Sequence, residues 1–145
     1  MEQRFRDYLT KIEISEPIIS RIDEIINLYH NISDEAFQKI IVSEFINTDL
    51  AHIYESLWLF SDNYIMEAKA FIKINNFDIT PYRKQIYYAF IEEENFDFLK
   101  GSNNSKILLH LSTTNRIKGE IKGTGANCAY IYDIYKTIVQ PNIIK

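Results

Sequence analysis

The chain has one cysteine, Cys128, three prolines and four glycines among 145 residues, and no apolar run near the roughly 18 residues of a membrane span. Each shortage excludes something. A lone thiol cannot close an intramolecular disulfide, so a cytosolic protein is the expectation. Few prolines and glycines, no biased tract and no repeat exclude a collagen-like, low-complexity or solenoid chain. The opening MEQRFRDYLTKIEISEP carries charge every few residues and so lacks the apolar core of a signal peptide. His30, His52 and His110 are the only histidines, too far apart in sequence to form a local metal-ligand pair. No metal and no cofactor are expected.

What is present describes an ordinary globular chain. Hydrophobic residues make up 46% and charged residues 25%, and the length suits a single domain over residues 1–145. A net charge of −4 argues against nucleic-acid binding by phosphate neutralisation. The charge is uneven: residues 1–99 hold 18 acidic and 9 basic side chains, residues 100–145 hold 2 and 7. An acidic region of that size suits a basic protein partner.

The hydrophobic pattern predicts an α+β fold. Residues 2–14 allow a helix or a strand, because Phe5, Tyr8, Leu9 and Ile12 have helical spacing while Tyr8, Thr10, Ile12 and Ile14 alternate. Ser15, Glu16 and Pro17 then mark the start of a helix over 17–29. Ser33, Asp34 and Glu35 repeat that signal, and Phe37, Ile40, Ile41, Phe45 and Ile46 predict a second helix, so that 1–56 is mostly helical and contains a helical hairpin. Beyond it the expectation is about six antiparallel strands forming a sheet or barrel: a hairpin over 57–61 and 64–73, strands at 77–80 and 85–98, and a hairpin over 106–112 and 116–122. A closing helix over 126–140 follows, stopped by Pro141.

Candidate chemistry is sparse. His52 with Asp49 or Glu55 reads as surface polar contact. Glu92, Glu93, Glu94 and Asp97 could serve a divalent ion, but acids in one strand more often keep an edge soluble. Cys128 near a helix start, approached by His110, would make a nucleophile pair, against the commoner role of a packed thiol. Lys118, Lys122, Thr124 and Gly125 lie in a glycine-rich stretch before the last helix, a possible anion site without the sequence of a phosphate-binding loop. Tyr132 beside Lys136 is a possible interface aromatic, and Trp58, Tyr87 and Tyr88 offer core mass or an anchor.

The segment 57–140, with SLWLFSDNYIMEAKAF, ILLHLSTTNRIKGEIKG and NCAYIYDIYKTI in that order, resembles the bacterial pleckstrin-homology-like family. The resemblance implies a non-catalytic module, a bent antiparallel barrel plugged by its C-terminal helix. Its first hairpin turn reads Ser61-Asp62-Asn63, where lipid-binding members carry basic residues, so protein recognition is the expectation. A rival layout, with TKIEISEP as a first strand, resembles the helix-grip fold and implies an apolar cavity. The leading functional expectation is a protein-binding protein, an inhibitor or immunity protein that caps a basic partner such as a nuclease toxin through Glu24, Glu35, Asp49 and Glu55 on the helices. The alternatives are a small-molecule or lipid carrier and a metal-dependent phosphoesterase using Glu92, Glu94 and His110.

Overall fold

Phe5, Tyr8 and Leu9 recur at helical spacing and are all buried, and helix α1 (Gln3–Lys11) forms where the sequence allowed helix or strand. It stops in a Schellman turn, with the Ile14 N–H donating to the Leu9 carbonyl (2.9 Å) and the Glu13 N–H to that of Thr10 (3.0 Å), while Glu13 takes φ 65°. The Ser15 carbonyl accepts from the N–H groups of Ile18 and Ile19, and α2 (Glu16–His30) follows with Glu16 and Pro17 in its first turn. Ile19, Ile22, Ile25, Ile26 and Tyr29 are its buried stripe. These elements come from a computed structural model that describes residues 1–30, 34–44, 54–72, 78–94, 106–113 and 118–144.

The second helix, and with it the helical hairpin, does not form. Residues 34–38 are extended coil and bend, and β1 (Lys39–Glu44) takes the place of the helix. Ile40, Ile41 and Val42 are consecutive β-branched residues that prefer a strand, and all three are buried because both faces of the strand are covered. A strand covered on both faces loses its alternation, so its apolar residues imitate helical spacing. Phe45, Ile46, Asp49 and His52 lie outside the described residues.

β1 pairs with β2 (Tyr54–Phe60), β2 with β3 (Tyr64–Lys69) and β3 with β4 (Asp78–Arg83), giving a four-stranded antiparallel sheet A. β5 (Ile86–Glu94), β6 (Lys106–Thr113) and β7 (Lys118–Thr124) make a three-stranded antiparallel sheet B. The described strands thus number seven rather than six, and β1 is the addition. The sheets do not close into a barrel. β1 lies against β7, but side chains join them: the Lys122 N–H donates to Ser43 Oγ (3.0 Å) and the Thr124 N–H to Glu44 Oε2 (2.7 Å). A register shift between Ser43 and Glu44 bends the end of β1, so side-chain oxygens stand where ladder carbonyls would be. Residues 10–17, the first strand of the helix-grip layout, are a helix end, a turn and a helix start.

Helix α3 (Asn127–Ile134) follows β7 directly and continues through a wide turn (Tyr135–Val139) into a 3₁₀ turn (Gln140–Asn142) that contains Pro141. Two glycines let the layers approach. A Cβ on Gly119 would stand 2.5 Å from the Trp58 ring, and one on Gly123 would stand 2.5 Å from Ile131 Cδ1. Trp58 therefore points from sheet A onto sheet B, and α3 packs on the same inner face of β7. α2 is tied to the segments flanking sheet A by a hydrogen bond from Arg21 Nε to the Phe71 carbonyl (2.9 Å) and by contact of the Tyr29 and Phe37 rings (4.2 Å).

Glu67 stands in register with Trp58 and so faces the space between the sheets, with its side chain only 10% exposed. Burial raises its pKa above the ordinary carboxylate value, partly offset by Lys69 Nζ at 3.9 Å. The folded chain therefore holds this proton to higher pH than the unfolded chain does. The contribution to stability is present in full below the unfolded pKa of about 4.3 and is lost as pH rises through the raised value. Glu67→Gln removes the ionisation, so its melting temperature should exceed that of the parent by a few degrees at about pH 8 and match it near pH 4. Equal melting temperatures at both pH values in a thermal scan would refute this.

Candidate partner-binding face

Among the described residues, sheet B is covered on one side only. Ile107, Leu109 and Leu111 of β6 and Gly119, Ile121 and Gly123 of β7 are buried, and the intervening residues face outward. On β5, Ala89 and Ile91 oppose Leu111 and Leu109, so Tyr88, Phe90 and Glu92 share the outer face with His110 and Glu120. A bulge between Ile86 and Tyr88 inserts Tyr87 without a partner and turns it outward too. Tyr87, Tyr88 and Phe90 are 53%, 46% and 44% exposed, an unusual concentration of bare aromatic surface.

The rings form a stack. Tyr88 and Phe90 lie 6.3 Å apart and nearly parallel, and Phe90 stacks on His110 at 4.5 Å. His110 Nε2 is 3.5 Å from Glu92 and its Nδ1 3.5 Å from Glu120, and Glu120 also meets Lys122 at 3.5 Å. The two carboxylates address different edges of one imidazole and do not converge on a common point. Among the described residues no group of three His, Cys, Asp or Glu side chains is placed to hold a metal ion. For the phosphoesterase set this brings Glu92 and His110 together, while the Glu94 side chain lies outside the described residues, as does Asp97 of the candidate divalent-ion cluster.

No family model, curated protein or solved structure matches the chain. The face has therefore to be read from its own chemistry.

The four acids expected on the helices fall on different elements. Glu24 lies on α2 and pairs with Arg21 Nη1 at 2.9 Å. Glu35 lies in the coil before β1, not on a helix, and Oε1 accepts from the N–H and Nδ2 of Asn63 (3.0 Å each), which fixes the β2–β3 turn. Glu55 is on β2, not on a helix, and meets Lys122 Nζ at 3.3 Å. Asp49 lies outside the described residues. Three of the acids thus serve internal partners.

At the possible anion site the chain places a carboxylate of its own. The Thr124 N–H and Oγ1 both reach the Glu44 carboxylate (2.7 and 3.2 Å), and Gly125 turns the chain at φ 53° into α3. Lys122 is paired with Glu55 and Glu120, and Lys118 is exposed at the start of β7. Cys128 is 3% exposed, its Sγ–H points at the Gly123 carbonyl (3.6 Å), and burial pushes its thiol up to about 11. It packs with α3 on the inner side of sheet B and His110 stands on the outer side, so they form no nucleophile pair. Tyr132 is partly buried against the core with Lys136 Nζ 5.9 Å from its ring centre, an internal cation–π contact.

Sequence reading singled out Tyr87, Tyr88, Glu92 and His110 but missed Phe90 and Glu120. The alternation of Tyr88, Phe90 and Glu92 was a usable signal. Which face it described depended on whether a second layer covered sheet B.

Proposed function

We propose that this chain is a protein-binding module whose contact surface is the outer face of sheet B, and that its partner is basic. The observation that carries this reading is the stack of Tyr88, Phe90 and His110, bordered by Tyr87, Glu92 and Glu120. Covering three aromatic rings exposed to this extent contributes on the order of 5 kcal/mol at about 25 cal/mol per Å². Aromatic rings are the usual anchors of protein contacts, and carboxylates beside them select a cation. The acids of the contact are Glu92 and Glu120, which border the aromatic stack on the outer face of sheet B, rather than Glu24, Glu35 and Glu55, which lie on other elements.

A pleckstrin-homology-like module with a protein ligand remains the best family proposal. It is supported by the β2–β3 and β6–β7 hairpins followed at once by α3. Phosphoinositide binding at the first hairpin turn is disfavoured, because that turn holds Asp62 and receives Glu35. An inhibitor or immunity protein against a basic toxin fits the same face.

The test is capture from a host lysate on immobilised chain at low and moderate salt. A basic protein retained by the parent should fall at least tenfold with the triple substitution Tyr87→Ser, Tyr88→Ser, Phe90→Ser, whose sites are exposed and whose fold is checked by circular dichroism. Undiminished retention by that folded variant would move the contact elsewhere and sink this reading.

A further inference from the structure

Among the described residues β5 is the terminal strand of sheet B, paired with β6 on one side only. Of the four terminal strands of the two sheets, β1 and β7 shield each other through Ser43 and Glu44, and β4 contains Pro81, which removes a backbone donor. β5 has neither proline nor lysine in IYYAFIEEE. Its edge is nonetheless able to receive an extended chain. Ile143 forms a parallel bridge with Ile86, and the Ile144 N–H donates to the Ile86 carbonyl at 2.8 Å. From Tyr87 onward no strand among the described residues occupies that side.

We propose that the partner segment adds to this edge as a further strand, pairing with residues 87–93, and that it is extended and bears arginine or lysine. The proposal rests on the protein-binding reading above and specifies how that face is used. A strand added there continues the hydrogen-bond ladder of sheet B and brings its own outward side chains beside Tyr88, Phe90 and Glu92. Guanidinium or ammonium groups then find aromatic rings and carboxylates, while the strand itself supplies no cation. A second copy of this chain is a poor occupant, since it would bring three more glutamates and no positive charge to the same ladder.

The probe is a capped peptide of alternating arginine and valine, six residues long, titrated at low salt and followed by backbone amide exchange. Two controls accompany it: the same length with glutamate for arginine, and two arginine peptides N-methylated on one or the other alternate set of amides. The expected result is that the arginine peptide slows exchange in residues 87–93 about tenfold or more. The glutamate peptide should have no effect, and one of the two N-methylated peptides should lose at least about tenfold in affinity. Glu92→Lys, at an exposed position on the outer face, should abolish the protection. If both N-methylated peptides bind as well as the parent peptide, the partner lies on the face without joining the ladder; strand addition is then overturned and the protein-binding reading stands. Protection of residues 87–93 in the free chain that grows with its concentration would assign the edge to a second copy and overturn the cationic occupant. Absence of any binding, together with lysate capture indifferent to the aromatic substitutions, would remove both.

Discussion

Gly119→Ala should lower the melting temperature by about 10 °C, corresponding to about 3 kcal/mol for a chain of this size. The added methyl would stand 2.5 Å from Trp58 Cη2 and 3.1 Å from Cζ2. The indole cannot move aside, because Trp58 is 1% exposed and lies in the centre of sheet A between Ile41 and Glu67. Gly119 is itself locked in register with Leu111, so the strand cannot retreat without breaking β6–β7 pairing. The cost is therefore steric overlap of two sheets, and it has a specific remedy. Trp58→Phe shortens the ring and removes an indole N–H that has no hydrogen-bond partner, so its own cost is only that of the cavity. In the double variant the two losses should fall short of their sum by at least about 1.5 kcal/mol, since the smaller ring vacates the space the methyl needs. Urea denaturation of the parent, both single variants and the double variant closes the cycle. Strict additivity would mean that the Gly119 requirement has nothing to do with Trp58.

The same contact shows what a sequence can and cannot reveal. Local signals placed α2 to within a residue or so: Ser15, Glu16 and Pro17 are chemical instructions to the adjacent backbone. The hairpins β2–β3 and β6–β7 were also legible, since Asp62 and Asn63 form a turn and Leu109 faces Ile121 across the ladder. The run from Ile40 to Val42 imitates helical spacing because its burial on both faces depends on elements distant in sequence, among them β7, α3 and α1. The glycine-rich approach to α3 offers a possible anion site in the sequence, and only the fold brings the Glu44 carboxylate of β1 alongside Thr124. Phe90 gave no signal of its own because a phenylalanine in a strand is ordinarily core, and its exposure follows from sheet B having one face that no described residue covers.

Asn127→Ala should be about as damaging as the change at Gly119, through polar groups in place of packing. Asn127 is 2% exposed, and it knits three elements together. Its Oδ1 accepts from the Tyr8 hydroxyl of α1 (2.7 Å), and its Nδ2 donates to the Val42 carbonyl of β1 (2.9 Å). The Tyr8 oxygen in turn accepts from the Val42 N–H (3.0 Å), so every member of the network is satisfied. Burial drives the phenol pKa far above its usual value, and the hydroxyl stays a donor at any accessible pH. Alanine would leave the Tyr8 proton and the Val42 carbonyl without this partner in a dry interior, at about 1–3 kcal/mol each. The expected loss is about 3 kcal/mol, seen as a fall of about 10 °C in melting temperature. Tyr8→Phe discriminates the cause. It removes one donor and leaves the Asn127 carbonyl and the Val42 N–H unmatched, so it should also destabilise. In Tyr8→Phe with Asn127→Ala the second change should cost clearly less than it does in the parent, since the hydroxyl it would strand is already gone. Amide exchange adds a local readout: α1 should open ahead of β1 in either variant, because Tyr8 and Asn127 tie the N-terminal helix to the end of sheet A. An unchanged melting temperature in Asn127→Ala, with α1 protected as in the parent, would show that packing of Phe5 and Leu9 alone holds that helix.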